Sequence, residues 1–115
     1  MQNFKDLIVW KKAHENVLHI YNRSNAFPKE EQFGITSQLR RAATSIPTNI
    51  AEGSGKSTKK DFANFSQTAL GSSQEVEYLS LLCMELGYLN KEDYYKINSF
   101  NNEVEAMLIS LIKKV

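Results

Sequence analysis

The sequence predicts an all-α chain folded as a single antiparallel, up-and-down four-helix bundle over residues 1–115. Three observations predict it. Apolar residues recur at steps of three and four along four segments, which is the period of one helix face. The joints between those segments are short and carry helix-start and helix-stop signals. The chain has only two prolines and five glycines, too few for a sheet fold with many tight turns. A length of 115 residues suits one domain with one core.

Helices are expected over about residues 6–23, 29–53, 59–86 and 91–114. In the first, Leu7, Trp10, His14, Val17, Leu18 and Tyr21 share one face. Val9, Ala13 and Ile20 form a second, narrower stripe on its flank, expected to meet another subunit or to pack peripherally. Pro28, Glu30 and Glu31 suit a helix's first turn, so the second helix is expected to begin near Lys29. Its seam is Ile35, Leu39, Ala42, Ile46, Ile50 and Gly53. Pro47 lies inside it, removing one backbone hydrogen bond at about 3 kcal/mol unless packing accommodates it, and is expected to kink the helix. Gly53 and Gly55 are expected to end it. Thr58 with Asp61 is a capping-box-like start for the third helix, whose seam reads Phe62, Phe65, Ala69, Ser72, Val76, Leu79, Cys83 and Leu86. Gly87 closes it. Asn90 with Asp93 opens the fourth, with Ile97, Phe100, Val104, Met107 and Leu111 as its seam and Leu108, Ile112 and Val115 alongside.

Composition narrows the function classes. Hydrophobic residues make up 42% and charged residues 23%, which excludes a disordered chain. The single Cys83 excludes an internal disulfide and a cysteine-based zinc site, and a reducing cytoplasm is the expected location. The apolar run Leu7–Trp10 is too short for a signal peptide, and no stretch approaches the ~20 residues of a membrane span. The net charge of +1 hides an asymmetry. Residues 1–60 carry ten Lys/Arg against five Asp/Glu, a net of +5, and residues 61–115 carry four against eight, a net of −4. Either a basic face awaits an anionic partner, or complementary faces meet between subunits, or this is ordinary solvated surface.

Three stretches carry a family resemblance: F-K-D-L-I-V-W-K-K-A near the start, Q-L-R-R-A-A-T-S-I-P-T-N-I-A-E-G from Gln38 to Gly53, and D-F-A-N-F-S-Q-T-A-L-G-S-S-Q-E from Asp61. The chain resembles the bacterial four-helix-bundle family named for proteins encoded in intervening sequences of 23S ribosomal RNA genes. The middle block is the most specific, because its proline, asparagine and glycine are unusual inside a helix. The resemblance implies a cytoplasmic all-α protein whose relatives associate as five-fold pentamers. It also implies a likeness to accessory bundle proteins of diversity-generating retroelements, which bind nucleic acid and a reverse transcriptase. It implies no enzymatic activity.

Gly53-Ser54-Gly55-Lys56-Ser57 suggests a phosphate loop, but the motif needs a glycine at Ile50 and a preceding strand. A di-iron bundle needs two Glu-x-x-His pairs, and the sequence has none. His14 is expected toward the core and His19 away from it; Glu15 and His19 alone are too few to hold a metal. Ser45, Ser72 and Ser73 have no His/Asp partners by spacing. No catalytic residue, metal or cofactor is therefore expected.

Gln38, Arg41, Ser45, Asn49 and Glu52 form a polar flank of the second helix, expected at a subunit interface, with Arg41 and Glu52 pairing across it. Ala42, Ala43 and Ser45 are expected to meet the small-residue patch Ala69, Gly71, Ser72 and Ser73, and a close contact there explains the mid-helix glycine. Candidate nucleic-acid contacts are Lys11, Lys12, Arg40, Arg41, Lys56, Lys59 and Lys60, with Arg40 on a solvated face. Aromatic residues do not interleave with these lysines, so base stacking is not indicated. The expected function is that of a non-enzymatic homo-oligomer, pentameric by resemblance. It would bind RNA or DNA through a basic surface repeated around the ring; a scaffold for a protein partner is the alternative.

Overall fold

The computed structural model describes residues 2–115. Four helices follow one another: α1 (Ile8–Ser24), α2 (Ile35–Ser54), α3 (Lys59–Glu85) and α4 (Lys91–Lys113), with short 3-10 turns at Phe4–Asp6 and Lys29–Glu31. Each helix packs on two neighbours, in the cyclic order α1, α2, α3, α4, within an envelope of 43 × 22 × 20 Å. The neighbours run antiparallel. The Gln2 N–H donates to the Ser54 carbonyl at 2.9 Å, tying the chain before α1 to the end of α2. At the far end Arg23 pairs with Asp93 at 3.2 Å, and the Tyr88 hydroxyl donates to Glu31 at 3.0 Å. The fold is the expected four-helix bundle.

The caps follow the sequence. Thr58 accepts from the Asp61 N–H and Asn90 from the Asp93 N–H, satisfying donors the first turns leave free. Gly87 sits at φ +82°, and the Tyr88 and Gly87 amides close back on the Cys83 and Met84 carbonyls, a Schellman stop. The second helix differs from expectation. Lys29–Glu31 form a separate 3-10 turn, and α2 starts only after Gly34. Gly34 leaves room for the Glu31 carboxylate, which accepts from the Ile35 N–H and the Tyr88 hydroxyl; a Cβ there would sit 2.6 Å from it. Helix α2 runs one residue past Gly53, and Gly55 caps it as expected. A Cβ at Gly53 would lie 2.8 Å from Phe65 Cβ, so this glycine sets how closely α2 and α3 approach.

The seam of α2 is as expected, with Ile35, Leu39, Ala42, Ile46 and Ile50 buried. Pro47 is buried within the continuous helix. The other three seams are as expected in part: Val17, Ala69, Val76, Leu79, Cys83, Ile97 and Val104 are buried, and polar residues complete the lines. On α1 the buried residues are Val9, Ala13, Asn16, Val17, Ile20 and Ser24, while Leu18 and Tyr21 are exposed. Val9, Ala13 and Ile20 are thus core residues of this chain and not a subunit-facing stripe. On α3 the seam is Ser66, Ala69, Ser73, Val76, Ser80 and Cys83, all without measurable exposure, with Leu79 buried beside them, and Leu86 is half exposed. On α4 it is Ile97, Asn101, Val104 and Leu108.

The core is therefore unusually polar. Ser73 and Ser80 donate to carbonyls three residues back, at 2.6 and 3.1 Å. Asn16 reaches from α1 to the Ile97 carbonyl at 3.2 Å, and Asn101 from α4 to the Ser73 carbonyl at 2.9 Å. Each cross-helix bond works in one register only, so these asparagines align the helices as well as hold them.

Candidate functional site

Lysines gather at one end of the bundle. Antiparallel packing brings the α2–α3 joint, the 3-10 turn before α1 and the end of α4 to the same pole. That pole carries Lys5, Lys56, Lys59, Lys60, Lys113 and Lys114. Lys59 and Lys114 line one cavity of about 190 Å³, beside Gln2, Phe62 and Leu111. Lys56 and Lys59 line a second of about 240 Å³ with Ser57 and Thr58, at the start of α3. All six are exposed, and none forms an ion pair among the described residues. Asp6, Glu52 and Asp61 share the pole, leaving six lysines against three carboxylates, a local charge of +3. The opposite end holds Glu30, Glu31, Glu85, Glu92 and Asp93 against Arg23, Lys29 and Lys91, with Arg40 and Arg41 toward the same end, so its charges balance. The folded chain thus gathers a basic excess at one pole, drawn from both sequence halves.

The seven basic candidates do not form one patch. Lys56, Lys59 and Lys60 lie together at the pole. Lys11 is exposed on α1, but Lys12 is engaged by Glu103 at 2.8 Å, a bond that raises the Lys12 pKa. Arg40 and Arg41 lie toward the other pole, about 20 Å along the axis from Lys56 at 1.5 Å per helical residue. Arg40 is not a solvated residue. Its Nε donates to Ser24 Oγ at 2.8 Å, and its Nη2 donates to the Tyr21 carbonyl at 3.3 Å and to Asn25 Oδ1 at 3.1 Å. The guanidinium lies 4.5 Å from the Tyr21 ring centroid and clamps the end of α1 to α2.

The interface candidates divide similarly. Gln38, Arg41 and Glu52 are exposed on α2, while Ser45 and Asn49 are half-buried. Ser45 Oγ meets Ser72 Oγ at 2.8 Å, so α2 does touch the small patch of α3, and Asn49 donates to both Ser45 oxygens. Gly71 does not explain itself that way. A Cβ there would meet nothing within 4 Å.

The two histidines and Cys83 lie in or against the packed interior. His14 is half-buried and stacks on Trp10 at 4.8 Å. His19 turns toward α4, contrary to expectation, 3.9 Å from Asp93, and burial with help from Lys96 lowers its pKa. Burial pushes the Cys83 thiol up to about 11, which removes its nucleophilic form. Among the described residues no three His, Cys, Asp or Glu side chains are placed to hold a metal. No helix among them is long and apolar enough to cross a membrane.

The fold and the pole acquire a context from known proteins. The family model described as 23S rRNA-intervening sequence protein matches residues 5–110. The chain belongs to that family. A 23S rRNA-intervening sequence protein of this kind also has a solved relative. It is a protein of unknown function from the S23 ribosomal protein family of Bacteroides thetaiotaomicron, 32% identical, with a TM-score of 0.83. The match covers 92% of this chain and 99% of that one. No match was found among curated proteins. Neither the family nor its solved member indicates a catalytic activity.

Sequence reasoning missed Lys5, Lys113 and Lys114. Only the antiparallel topology joins Lys113 and Lys114 to Lys59, more than fifty residues away in the chain.

Proposed function

We propose that this chain is a non-enzymatic binding module, and that its lysine pole takes the phosphate backbone of nucleic acid without reading sequence. The observation that carries the reading is the unpaired cluster of six lysines at one end of the bundle. Flexible lysines act as point charges toward phosphates, and each neutralised phosphate releases condensed counterions. One pole with a charge of +3 binds weakly. Self-association, with Gln38, Arg41, Ser45, Asn49 and Glu52 on the α2–α3 face as the contact, repeats the pole and multiplies the affinity. The open Gly71 on the same two-helix face supports that contact, because an exposed mid-helix glycine costs about 1 kcal/mol with no return inside the chain. Pentamers known in related bundles set the expected ring size. The module acts in the cytoplasm.

Charge reversal tests the reading. Lys56→Glu, Lys59→Glu and Lys60→Glu together should abolish binding to generic RNA and DNA at low salt while leaving the helical signal and the oligomer mass intact. Undiminished binding in that variant would remove the pole from the account. A protein-scaffold role is the reading left if the wild type binds no nucleic acid.

A further inference from the structure

The other pole carries a groove that the lysine reading does not use. It lies where the end of α1 meets the start of α2. Two cavities, about 200 and 450 Å³, share Gln32, Thr36 and Arg40 as lining. Phe33 and Tyr21 stand at the rim of the larger one. The Phe33 side chain is 91% exposed, the most exposed large apolar residue described, and Tyr21 is 41% exposed. Arg41 completes the lining, exposed and without an ion pair among the described residues. No carboxylate lines either cavity.

Two further features set this groove apart from an accidental hollow. Arg40 is held rigid by three hydrogen bonds and by Tyr21, yet its Nη1 donates to nothing among the described residues. Thr36 is only 6% exposed, and its buried Oγ1 has no hydrogen-bond partner. A fixed cation, an unpartnered hydroxyl, a free arginine and an unsupported aromatic ring converge on one concavity.

We infer that this groove binds an unpaired nucleotide of a single-stranded nucleic acid. The base stacks on Phe33, and its phosphate meets Arg41 and the free edge of Arg40. The chemistry fits this occupant because a nucleotide joins a flat apolar face to an anion, and the groove offers both complements side by side. A duplex does not fit, since its bases are already stacked on one another. The inference rests on the nucleic-acid reading above, but it uses different residues at the opposite pole.

The test uses the full chain and fluorescence anisotropy with a labelled pyrimidine single strand and a duplex of equal length. Phe33→Ala should weaken single-strand binding by about five- to a hundredfold, the range for losing one aromatic stack, and leave duplex binding unchanged. Arg41→Ala should weaken the single strand as well. The exposure of both side chains keeps the fold out of the result, which circular dichroism checks. If Phe33→Ala leaves single-strand affinity within twofold while the lysine reversal lowers it, the groove assignment fails and the lysine pole stands. If Phe33→Ala instead lowers the oligomer mass, a second copy occupies the groove and the assignment is overturned. If the wild type binds neither nucleic acid, both readings fall together.

Discussion

Gly53 and Gly71 should respond to the same substitution in opposite directions. Both lie inside helices, so alanine relieves the conformational freedom of the unfolded chain by about 1 kcal/mol at either site. At Gly71 nothing in the same chain lies within 4 Å of the added methyl, so within one bundle that gain is kept. At Gly53 the methyl arrives 2.8 Å from Phe65 Cβ and 2.9 Å from Phe62 Cδ1. Carbon atoms settle at about 3.5–4.0 Å, so α3 must retreat by more than half an ångström. The Phe65 Cβ is fixed to its backbone and has no rotamer by which to escape. Overpacking of this kind costs about 1–3 kcal/mol, which cancels or exceeds the helix gain. The two variants should therefore differ by about 1–3 kcal/mol, or roughly 4–12 °C in Tm for a chain of this size. Thermal and urea unfolding at one protein concentration, with light scattering alongside, measures the difference. Equal stabilisation by both substitutions would refute the close approach of α2 to α3 at Gly53. A loss of mass in Gly71→Ala locates that glycine under a second copy.

Other expectations follow from single contacts. Asn101→Ala removes the bond to the Ser73 carbonyl and opens a cavity between α3 and α4, and should cost about 2–3 kcal/mol by urea denaturation. Arg40→Ala removes three hydrogen bonds and the Tyr21 stack and should cost about 1–2 kcal/mol, with the end of α1 losing amide-exchange protection first. His19 gives a pH effect of defined sign. Burial holds its folded pKa below 6.5, so the folded chain binds the proton less readily than the unfolded chain does. The His19 contribution is present above pH 6.5 and is lost as pH falls from there through the folded value; His19→Gln should flatten that part of the stability profile. Cys83, with its thiol raised to about 11, should resist disulfide reagents in the native chain and react at once in denaturant.

The bundle was legible because helix period, capping pairs and short joints agree with one another. Thr58, Gly87 and Asn90 act where their spacing put them. The α2 seam was legible because it is aliphatic throughout. The seams of α1, α3 and α4 were legible in part. Val17, Ala69, Val76, Leu79, Cys83, Ile97 and Val104 lie in the core as expected, but the lines also run through Asn16, Ser66, Ser73, Ser80 and Asn101, and a hydrophobic pattern counts these as surface. On α1 the unread Asn16 made Val9, Ala13 and Ile20 look like a spare stripe. The early start assigned to α2 has a similar origin: Pro28 and its glutamates initiate a turn, and Gly34 interrupts it before the helix begins. The lysine pole was half legible. Lys56, Lys59 and Lys60 are neighbours in sequence, whereas Lys5, Lys113 and Lys114 join them only through topology. The groove lined by Phe33 and Arg41 was not legible, since Tyr21 and Arg40 meet only across the α1–α2 corner.

The central claim is that the lysine pole binds phosphates, and the salt dependence of binding addresses it most directly. The logarithm of the association constant for a generic duplex should fall linearly with the logarithm of salt concentration. Replacing Lys56, Lys59 and Lys60 by glutamine should reduce that slope by roughly one for each lysine that meets a phosphate, up to about three for every copy bound. A wild-type slope near zero, or a slope that the three substitutions leave unchanged, would contradict the account.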